Sequence, residues 1–330
     1  MQNAYAALTR PIRLLAAGGT IAMSGERAVP ALDAGQLINA LPELGQVRQL
    51  EAENVLSLPG PQIGLDDALV LAHRARAAAR DGEGVVITTG TDTLEELALL
   101  AAMLHDSEAP IVLTGANRPA SRPGADGPAN LLDAVAVAGA ERAAGLGTLV
   151  VFGGEIHAAT TARKIDSTGP AAFGSPVAGP LGRVVEGHIW LHARPAAVIT
   201  PLDPETIAHR VEILTASLGD DGAQLASAAD RADGMVVIAF GAGHLSPGML
   251  RELRRAAATK PVLVTCRPER SSMLFSTYGF EGSEPDLRDS GAVCVPFLSA
   301  PAARMALLCC LGSGLDRDGT AAVLSPFDAG

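Results

Sequence analysis

The sequence has 330 residues, 48% of them hydrophobic, which is enough for one large domain or two smaller ones. The formal net charge of −11 argues against nucleic-acid binding, because nucleic acids select for basic surfaces. No stretch approaches about 18 uninterrupted apolar residues, so we expect no membrane span. Residues 1–10 lack the basic and apolar regions of a secretory signal, and we therefore expect a cytoplasmic protein.

The predicted elements of the first half alternate between strands and helices. An apolar strand that begins at Ile12 runs into Gly18-Gly19-Thr20, and a loop is expected from Ser24 to Pro30. Such alternation is typical of a parallel sheet with right-handed crossovers. The spacing of apolar residues predicts the elements that follow: a short helix capped by Asp33 and ending near Leu41, a helix at 65–80, a strand at 111–114, a helix at 130–144 and a strand at 148–152.

The stretch 84–96 predicts a buried strand, a tight turn and a helix. Its β-branched apolar run stops at Gly90, Thr91-Asp92-Thr93 follows, and helical spacing begins at Leu94. Polar side chains and free backbone N–H groups at such a turn project past the carboxyl end of the strand, where open α/β sheets bind ligands. Asp92 or Thr93 could instead serve only as a helix N-cap, but one cap does not explain Thr-Asp-Thr crowded against a glycine.

The second half predicts a smaller domain. Helical spacing disappears from Ala158 to Pro195, as in hairpins and loops, and Pro195, Pro201 and Pro204 mark a linker. We therefore predict an α/β protein with a larger N-terminal parallel-sheet domain (flavodoxin-like) at 1–195, a linker at 196–208 and a smaller α/β domain at 209–330. The elements predicted beyond the linker are strands at 211–215, 235–240, 262–265 and 292–296, and helices at 247–258 and 301–311.

Other kinds of site fit the sequence less well. The glycines after the first strand match neither the dinucleotide fingerprint nor the P-loop, so nucleotide binding is a weak alternative. His188 and His192 flank Trp190 in a predicted hairpin strand, which favours a solvated edge. We expect neither a metal nor a cofactor. The cysteines show no C-x-x-C spacing and are predicted to be buried free thiols: Cys266, Cys294, Cys309 and Cys310.

Two motifs, in this order, resemble signatures of the bacterial-type L-asparaginase family. Residues 17–22, which read Ala-Gly-Gly-Thr-Ile-Ala, are similar to the first signature, and Gly-Thr-Asp-Thr at 90–93 with two glutamates at 95–96 is similar to the second. The resemblance continues through 112–119, 125–131, Lys164 and 278–280, and thus covers nearly the whole chain.

The resemblance implies hydrolysis of L-asparagine to L-aspartate and ammonia, with L-glutamine hydrolysis as a side activity. Thr20 would be the nucleophile that forms an acyl-enzyme. Thr91, Lys164 and Asp92 would form a proton-transferring triad, and Asp92 would also bind the α-amino group of the substrate. These residue types suit amide hydrolysis, which needs an activated nucleophile, a proton donor to the leaving nitrogen and N–H groups facing the oxyanion.

The same resemblance implies further binding residues. Backbone N–H groups around Gly90 and Ala116 would face the oxyanion, and Gln62 would bind the substrate carboxylate. Glu284, and His244 where many members have asparagine, would contact substrate held by a neighbouring subunit, in a homodimer or a dimer of dimers. A solvated loop carboxylate is the alternative for Glu284.

The sequence departs from the family in the mobile lid that follows the first signature. The family usually has a tyrosine there, but 24–30 contains none, and Arg27 falls near that position. Pro61 also replaces the serine of the family's Ser-Gln pair. We expect the threonine chemistry to be kept, and substrate affinity and side-chain selectivity to differ.

Two other functions remain open. The chain could be the asparaginase-like subunit of a tRNA-dependent amidotransferase, although it shows no basic N-terminal extension for an RNA-handling partner. It could also be an amino-acid-binding regulator without catalysis. The retention of Thr20, Thr91, Asp92 and Lys164 argues against that regulator.

Overall fold

The structure is a computed structural model that describes residues 4–25, 29–30, 32–196, 199–270 and 272–328. The chain divides into two compact units, Met1–Ala196 and Ala197–Gly330. Within the described ranges, no helix is both long and apolar enough to cross a membrane.

The N-terminal unit contains a large sheet and helices that cover it. Its strands are β1 (Ile12–Gly18), β2 (Met23–Ser24), β3 (Val29–Pro30), β4 (Leu50–Leu58), β5 (Gly84–Thr88), β6 (Ile111–Thr114), β7 (Thr148–Phe152), β8 (Glu155–Ala158), β9 (Arg163–Lys164), β10 (Phe173–Gly174), β11 (Gly182–Val185) and β12 (His188–Leu191). Its helices are α1 (Ala34–Asn39), α2 (Leu65–Arg80), α3 (Leu94–Leu104) and α4 (Gly127–Gly139).

The large sheet has the strand order β12-β11-β8-β7-β6-β5-β1-β4. The strands from β4 to β7 in this order are parallel, and β8, β11 and β12 extend the sheet in antiparallel fashion. In chain order the parallel strands are β1, β4, β5, β6 and β7, so their spatial order is 2-1-3-4-5, the flavodoxin-like arrangement. The predicted α/β class is confirmed. The order reverses at β1, which lies between β4 and β5, and this reversal is where such sheets bind ligands.

Burial explains why these stretches form strands and helices. All five residues of β5 are buried, as expected for a parallel strand covered on both faces. Asp33 caps α1 as predicted: its side chain accepts the N–H of Gln36, and the Gln36 side chain accepts the N–H of Asp33. The strand β12 lies at the edge of the sheet, and Trp190 is 68% exposed there, in agreement with the predicted solvated edge.

Three expectations for this unit need correction. Helix α4 begins at Gly127 and ends at Gly139, earlier than predicted at both ends, because Pro128 is suited to the first turn and residues 141–143 form a separate 3-10 turn. The two ends of the loop predicted at 24–30 belong instead to the hairpin strands β2 and β3, in which Ser24 pairs with Val29. Strand β4 was not predicted, since it is an edge strand with several exposed residues and no apolar run.

The C-terminal unit is a four-stranded parallel sheet with helices. Its strands β13 (Val211–Thr215), β14 (Gly234–Ala239), β15 (Val262–Cys266) and β16 (Val293–Cys294) pair in sequential order. Its helices are α5 (Ala223–Ala229), α6 (Pro247–Ala257), α7 (Glu284–Arg288), α8 (Ala300–Gly312) and α9 (Arg317–Leu324). The four strands, α6 and α8 agree with the predicted positions to within a few residues, whereas the shorter helices α5, α7 and α9 were not predicted.

The cysteines are buried free thiols, as predicted. Burial raises the pKa of Cys266 to about 11 and that of Cys294 to about 12. Because the thiolate is the reactive form, a raised pKa lowers the reactivity of these two thiols at neutral pH.

Three glycines let the loops after β1, β4 and β5 meet backbone to backbone. Gly19 has a φ of +78°, and a Cβ atom there would overlap the backbone nitrogen of Gly90. A Cβ atom at Gly90 would in turn lie 2.8 Å from the backbone nitrogen of Gly60. The approaches at Gly19 and Gly90 are closer than a side chain permits, so only glycine fits at these two positions, whereas a Cβ atom at Gly60 would lie 3.1 Å from Thr93 Oγ1.

We expect Gly19→Ala to lower the free energy of unfolding by about 2–4 kcal/mol, because the added methyl group overlaps backbone and the positive φ strains alanine. Gly45→Ala is the matched control, since a Cβ atom at Gly45 would meet nothing within 4 Å. It should change stability by less than about 1 kcal/mol. Urea unfolding at pH 7 measures both variants. Equal and small effects would show that the loops do not touch at Gly19.

Candidate active site

Two threonines lie at the reversal of the strand order. Thr20 directly follows β1 and Gly19, and is partly buried in a 3-10 turn, Thr20–Ala22. Thr91 follows β5 and Gly90, and is 6% exposed. Because Gly19 packs on Gly90, the two threonine-containing loops are held side by side. The sequence therefore places two hydroxyl groups where an open parallel sheet binds its ligand.

A lysine from outside the parallel strands reaches this edge. Lys164 lies on β9, 73 residues after Thr91, and its Nζ donates to Thr91 Oγ1 at 2.9 Å and to Asp92 Oδ1 at 2.7 Å. The Lys164 side chain is 20% exposed, whereas the Asp92 side chain is 63% exposed. An amine this close to a hydroxyl has the geometry required of a general base once it is neutral. The structure thus brings Thr91, Asp92 and Lys164 into direct contact.

The helix that follows this turn has no side-chain cap. Thr93 occupies the N-cap position of α3, and its hydroxyl makes no capping hydrogen bond. It donates instead to the carbonyl oxygen of Gly60 at 3.5 Å. Asp92 binds Lys164. Capping therefore does not account for the polar residues of the turn.

Backbone donors line the same edge. Among the residues that the structure describes, no acceptor binds the N–H groups of Gly90, Thr91 or Ala116. Gly90 and Ala116 are buried, and each follows the end of a neighbouring strand, β5 or β6. Unbound N–H groups at strand ends are the donors that an oxyanion requires.

A buried polar network holds the loop that contains Ala116. The Asp126 carboxylate accepts the N–H of Asn117 at 3.0 Å, and Asn130 Nδ2 donates to the carbonyl oxygen of Gly115 at 2.9 Å and to Asp126 at 3.3 Å. Asp126 is 9% exposed and Asn130 is 2% exposed. Satisfied buried networks of this kind fix a single loop conformation.

Gln62 lies beside these loops, and the lid lies partly outside the described residues. Gln62 is exposed in a 3-10 turn, Gly60–Gln62, directly after β4, and Gly60 packs on Gly90. The predicted substrate-carboxylate ligand therefore belongs to the same edge of the sheet. Arg27, which falls near the family's lid tyrosine, is not among the described residues.

His244 and Glu284 form a pair in the C-terminal unit. His244 Nε2 lies 3.2 Å from Glu284 Oε2, while Glu284 Oε1 accepts the N–H groups of Thr277 at 2.5 Å and Tyr278 at 2.9 Å. Glu284 is 0% exposed, so the alternative of a solvated loop carboxylate is wrong. Burial raises the pKa of this carboxyl, but the hydrogen bonds from backbone N–H groups and from His244 outweigh it, and the pKa lies below its usual range.

Aromatic side chains surround this pair. The His244 ring meets the rings of Tyr278 and Phe280 edge-on, with centroids 5.0 Å and 5.1 Å away. Phe275, Tyr278 and Phe280 are each about half exposed. The ring centroids of Tyr278 and Phe280 lie 5.7 Å apart, and these two residues form an exposed aromatic patch in a chain with only 3% aromatic residues.

Two protein-family models match this chain, one in each unit. The family model described as "Asparaginase, N-terminal" matches residues 11–197, and the model described as "Glutaminase/Asparaginase C-terminal domain" matches residues 210–324. The chain belongs to the asparaginase family.

Relatives of this asparaginase-family chain match it over most of their length. A "Probable L-asparaginase" of Deinococcus radiodurans is 37% identical over 317 residues, which cover 93% of this chain and 94% of the relative. A "Glutaminase-asparaginase" of Pseudomonas fluorescens is 36% identical over 254 residues, 74% of this chain and 64% of the relative. The crystal structure of a "Probable Cytoplasmic L-asparaginase" from Campylobacter jejuni has a TM-score of 0.84 at 27% identity, covering 96% of this chain and 99% of that one.

Some residues that shape the site received no role in the sequence analysis. Asn117, Asp126 and Asn130 lie in segments that resemble the family, but sequence alone did not show what they bind. Glu95, whose Oε2 accepts the backbone N–H of Lys164 at 2.9 Å, is one of the two glutamates quoted with the second signature. Its position in the first turn of α3 is the signal that could have placed it near the threonines.

We expect Glu284→Gln to destabilise the protein at pH 7 but not in acid. A carboxyl whose folded pKa is depressed stabilises the fold above its unfolded pKa, about 4.3, and loses that contribution as pH falls through the folded value. Thermal unfolding of wild type and variant at pH 7 and near pH 3 measures the two differences. Glu281→Gln, at an exposed neighbouring glutamate, is the control. A stability gap that stays equal at both pH values would mean that charge on Glu284 plays no part.

Proposed function

We propose that this protein is an L-asparaginase in which Thr20 attacks the substrate and Thr91, Lys164 and Asp92 transfer protons. The observation that supports this most directly is the Lys164 amine bound to both Thr91 and Asp92. Family membership supplies the reaction class, an amide hydrolysis.

The proposed reaction has two halves. Thr20 Oγ1 bonds to the side-chain amide carbon of L-asparagine, and the C–N bond breaks. Thr20 loses one proton in this step, and the leaving nitrogen gains one to become ammonia. Water then attacks the ester, with the Thr91 hydroxyl and the neutral Lys164 amine as the route for its proton. The carbon keeps the water oxygen, Thr20 regains its proton, and L-aspartate leaves.

Other residues of the site would bind the substrate. Asp92 Oδ1 is bound by Lys164, and we assign its other oxygen to the α-ammonium group, because the carboxylate is largely exposed. The N–H groups of Gly90, Thr91 and Ala116 would stabilise the oxyanion of both tetrahedral intermediates. We assign Gln62 to the substrate carboxylate.

L-Glutamine is the side substrate that we propose. The Pseudomonas fluorescens relative is named a glutaminase-asparaginase, and the extra methylene of glutamine is a small difference for a binding site. Because the lid lacks the family's tyrosine, we expect looser closure and a higher KM than in tyrosine-containing relatives. We also propose a cytoplasmic location, in keeping with the buried free thiols and with the Campylobacter jejuni relative, which is described as cytoplasmic.

We propose that the protein assembles as a homodimer, or as a tetramer made of two such dimers. The strand-end threonines leave one side of the substrate open, and an α-ammonium group there needs a second anionic partner to be held out of water. The His244–Glu284 pair of a second chain would supply it, with the partly exposed His244 facing the substrate and the buried Glu284 carboxylate behind it providing the negative charge. The exposed aromatic patch at Tyr278 and Phe280 supports an interface around that pair.

Alanine variants test the catalytic assignment. We expect Thr20→Ala, Thr91→Ala and Lys164→Ala each to lower kcat at least ~100-fold, as expected for loss of a nucleophile or its base. Thr168→Ala, at an exposed threonine in the loop after Lys164, is the control and should keep normal turnover. The assay follows ammonia and aspartate release from L-asparagine in EDTA, with L-glutamine and D-asparagine in parallel.

Two results would contradict this function. If EDTA abolished activity and a divalent ion restored it, the reaction would depend on a metal ion, and the proposed threonine mechanism would be wrong. Tight binding of L-asparagine without product release would identify an amino-acid-binding protein.

Mixed dimers test the shared site. Thr91→Ala and Glu284→Ala homodimers should both be weak. In a heterodimer one site contains both defects and the other contains neither, so co-refolding the two variants should restore about one working site per dimer. The measurement is kcat of heterodimers purified through two different affinity tags. If heterodimers form and no activity returns, Glu284 serves its own chain or none.

A further inference from the structure

The carboxylate of Glu95 binds the main chain of Lys164. Glu95 Oε2 accepts the backbone N–H of Lys164 at 2.9 Å. Glu95 is the second residue of α3, and this helix begins directly after Thr91, Asp92 and Thr93. The hydrogen bond therefore joins the lysine's strand to the same helix that anchors the turn containing Thr91.

The hairpin that contains Lys164 is short. Strand β9 has two residues and pairs with the two residues of β10, with Lys164 opposite Phe173. The neighbouring N–H of Ile165 donates to the carbonyl oxygen of Ala172, inside the hairpin, whereas the Lys164 N–H points out of it toward α3. An isolated two-stranded hairpin is only marginally stable, so its position depends on contacts from outside.

We propose that Glu95 is a positioning residue for Lys164, an inference that rests on the proposed function. The lysine amine lies at the end of a flexible four-carbon stem, and its Nζ has to stay within hydrogen-bond distance of Thr91. Glu95 fixes the main-chain end of this residue, while Thr91 and Asp92 fix the amine end. Glu95 follows Thr91 by four residues in sequence. The same segment of chain therefore positions the main chain of Lys164 and contains the hydroxyl group that its amine contacts.

A second effect of Glu95 has to be separated from this one. A carboxylate in the first turn of a helix also stabilises the helix through its dipole. Glu96 is the other acidic residue in the first turn of α3. Glu96→Ala is therefore the matched control, because it removes a first-turn charge and leaves the Glu95–Lys164 hydrogen bond in place.

The experiment compares Glu95→Ala, Glu95→Gln and Glu96→Ala by kcat, KM and melting temperature. We expect Glu95→Ala to lower kcat about 10- to 100-fold with KM nearly unchanged, because a base displaced by about 1 Å costs turnover on this scale. Glu95→Gln should keep kcat within about threefold, since its amide oxygen accepts the same N–H. Glu96→Ala should keep normal kcat and lose a similar helix-dipole contribution, so any further fall in the melting temperature of Glu95→Ala belongs to the lost hydrogen bond to Lys164. Glu95→Leu provides a second acceptor-free variant if the alanine variant does not fold.

A double-mutant cycle shows whether Glu95 acts through the lysine. In the Lys164→Ala background, Glu95→Ala should cause no further loss of kcat. The inference is overturned if Glu95→Ala keeps wild-type kcat, if Glu95→Gln loses as much as Glu95→Ala, or if the two losses multiply. Lys164→Ala with normal turnover would overturn the proposed function as well, whereas an inactive Lys164→Ala beside a normal Glu95→Ala would overturn the positioning role alone.

Discussion

The contact of Gly19 with Gly90 is the constraint on which the rest of the site depends. Neighbouring parallel strands lie a fixed distance apart, and loops that leave their carboxyl ends normally diverge because side chains keep them separate. Here the missing Cβ atoms let the loops after β1 and β5 touch, and Gly60 extends the same contact to the loop after β4. Thr20, Thr91 and Gln62 follow these glycines by one or two residues. These three residues are therefore brought close together by contacts between backbone atoms.

The remaining parts of the site are brought to this edge by hydrogen bonds across long sequence separations. Lys164 comes from a hairpin beyond the parallel strands and is held by Thr91, Asp92 and Glu95. Asp126 and Asn130, from the start of α4, hold the loop that contains Ala116. Polar side chains therefore play two roles in this unit, since some are exposed to a ligand and others fix the loops that expose them.

Much of the fold could be predicted from the sequence because its strands are buried on both faces. The apolar runs at β1, β5, β6 and β7 predicted strands directly, and the glycines that end β1 and β5 marked the site. Strand β4 could not be found this way, because an edge strand with charged residues has no apolar run. The flavodoxin-like class came from the family resemblance, and the sequence itself did not show which strand lies on the other side of β1 from β5.

The sequence predicted which residues form the site but not the contacts between them. Family resemblance named Thr91, Asp92 and Lys164, but a lysine in a short hairpin gives no local signal of where its amine points. Glu95 and Asn130 bind backbone groups, and such partners depend on tertiary structure that no residue spacing encodes. The burial of Glu284 was likewise invisible, since the sequence around it reads as a polar loop.

The hairpin that supplies Lys164 has a consequence for how the protein gains activity as it folds. Gly19 and Gly90 are about as far apart in sequence as Thr91 and Lys164, so loop length does not decide which contact forms first. The difference lies in the support of each contact, because β1, β4 and β5 pair along most of their length, whereas β9 and β10 pair over two residues each and depend on contacts from α3. A refolding chain is therefore expected to recover the spectroscopic signal of its sheet ahead of its turnover. For this protein, enzyme activity requires the β9–β10 hairpin to be in place. Activity is therefore a stricter test of complete refolding than circular dichroism, which detects the sheet and the helices.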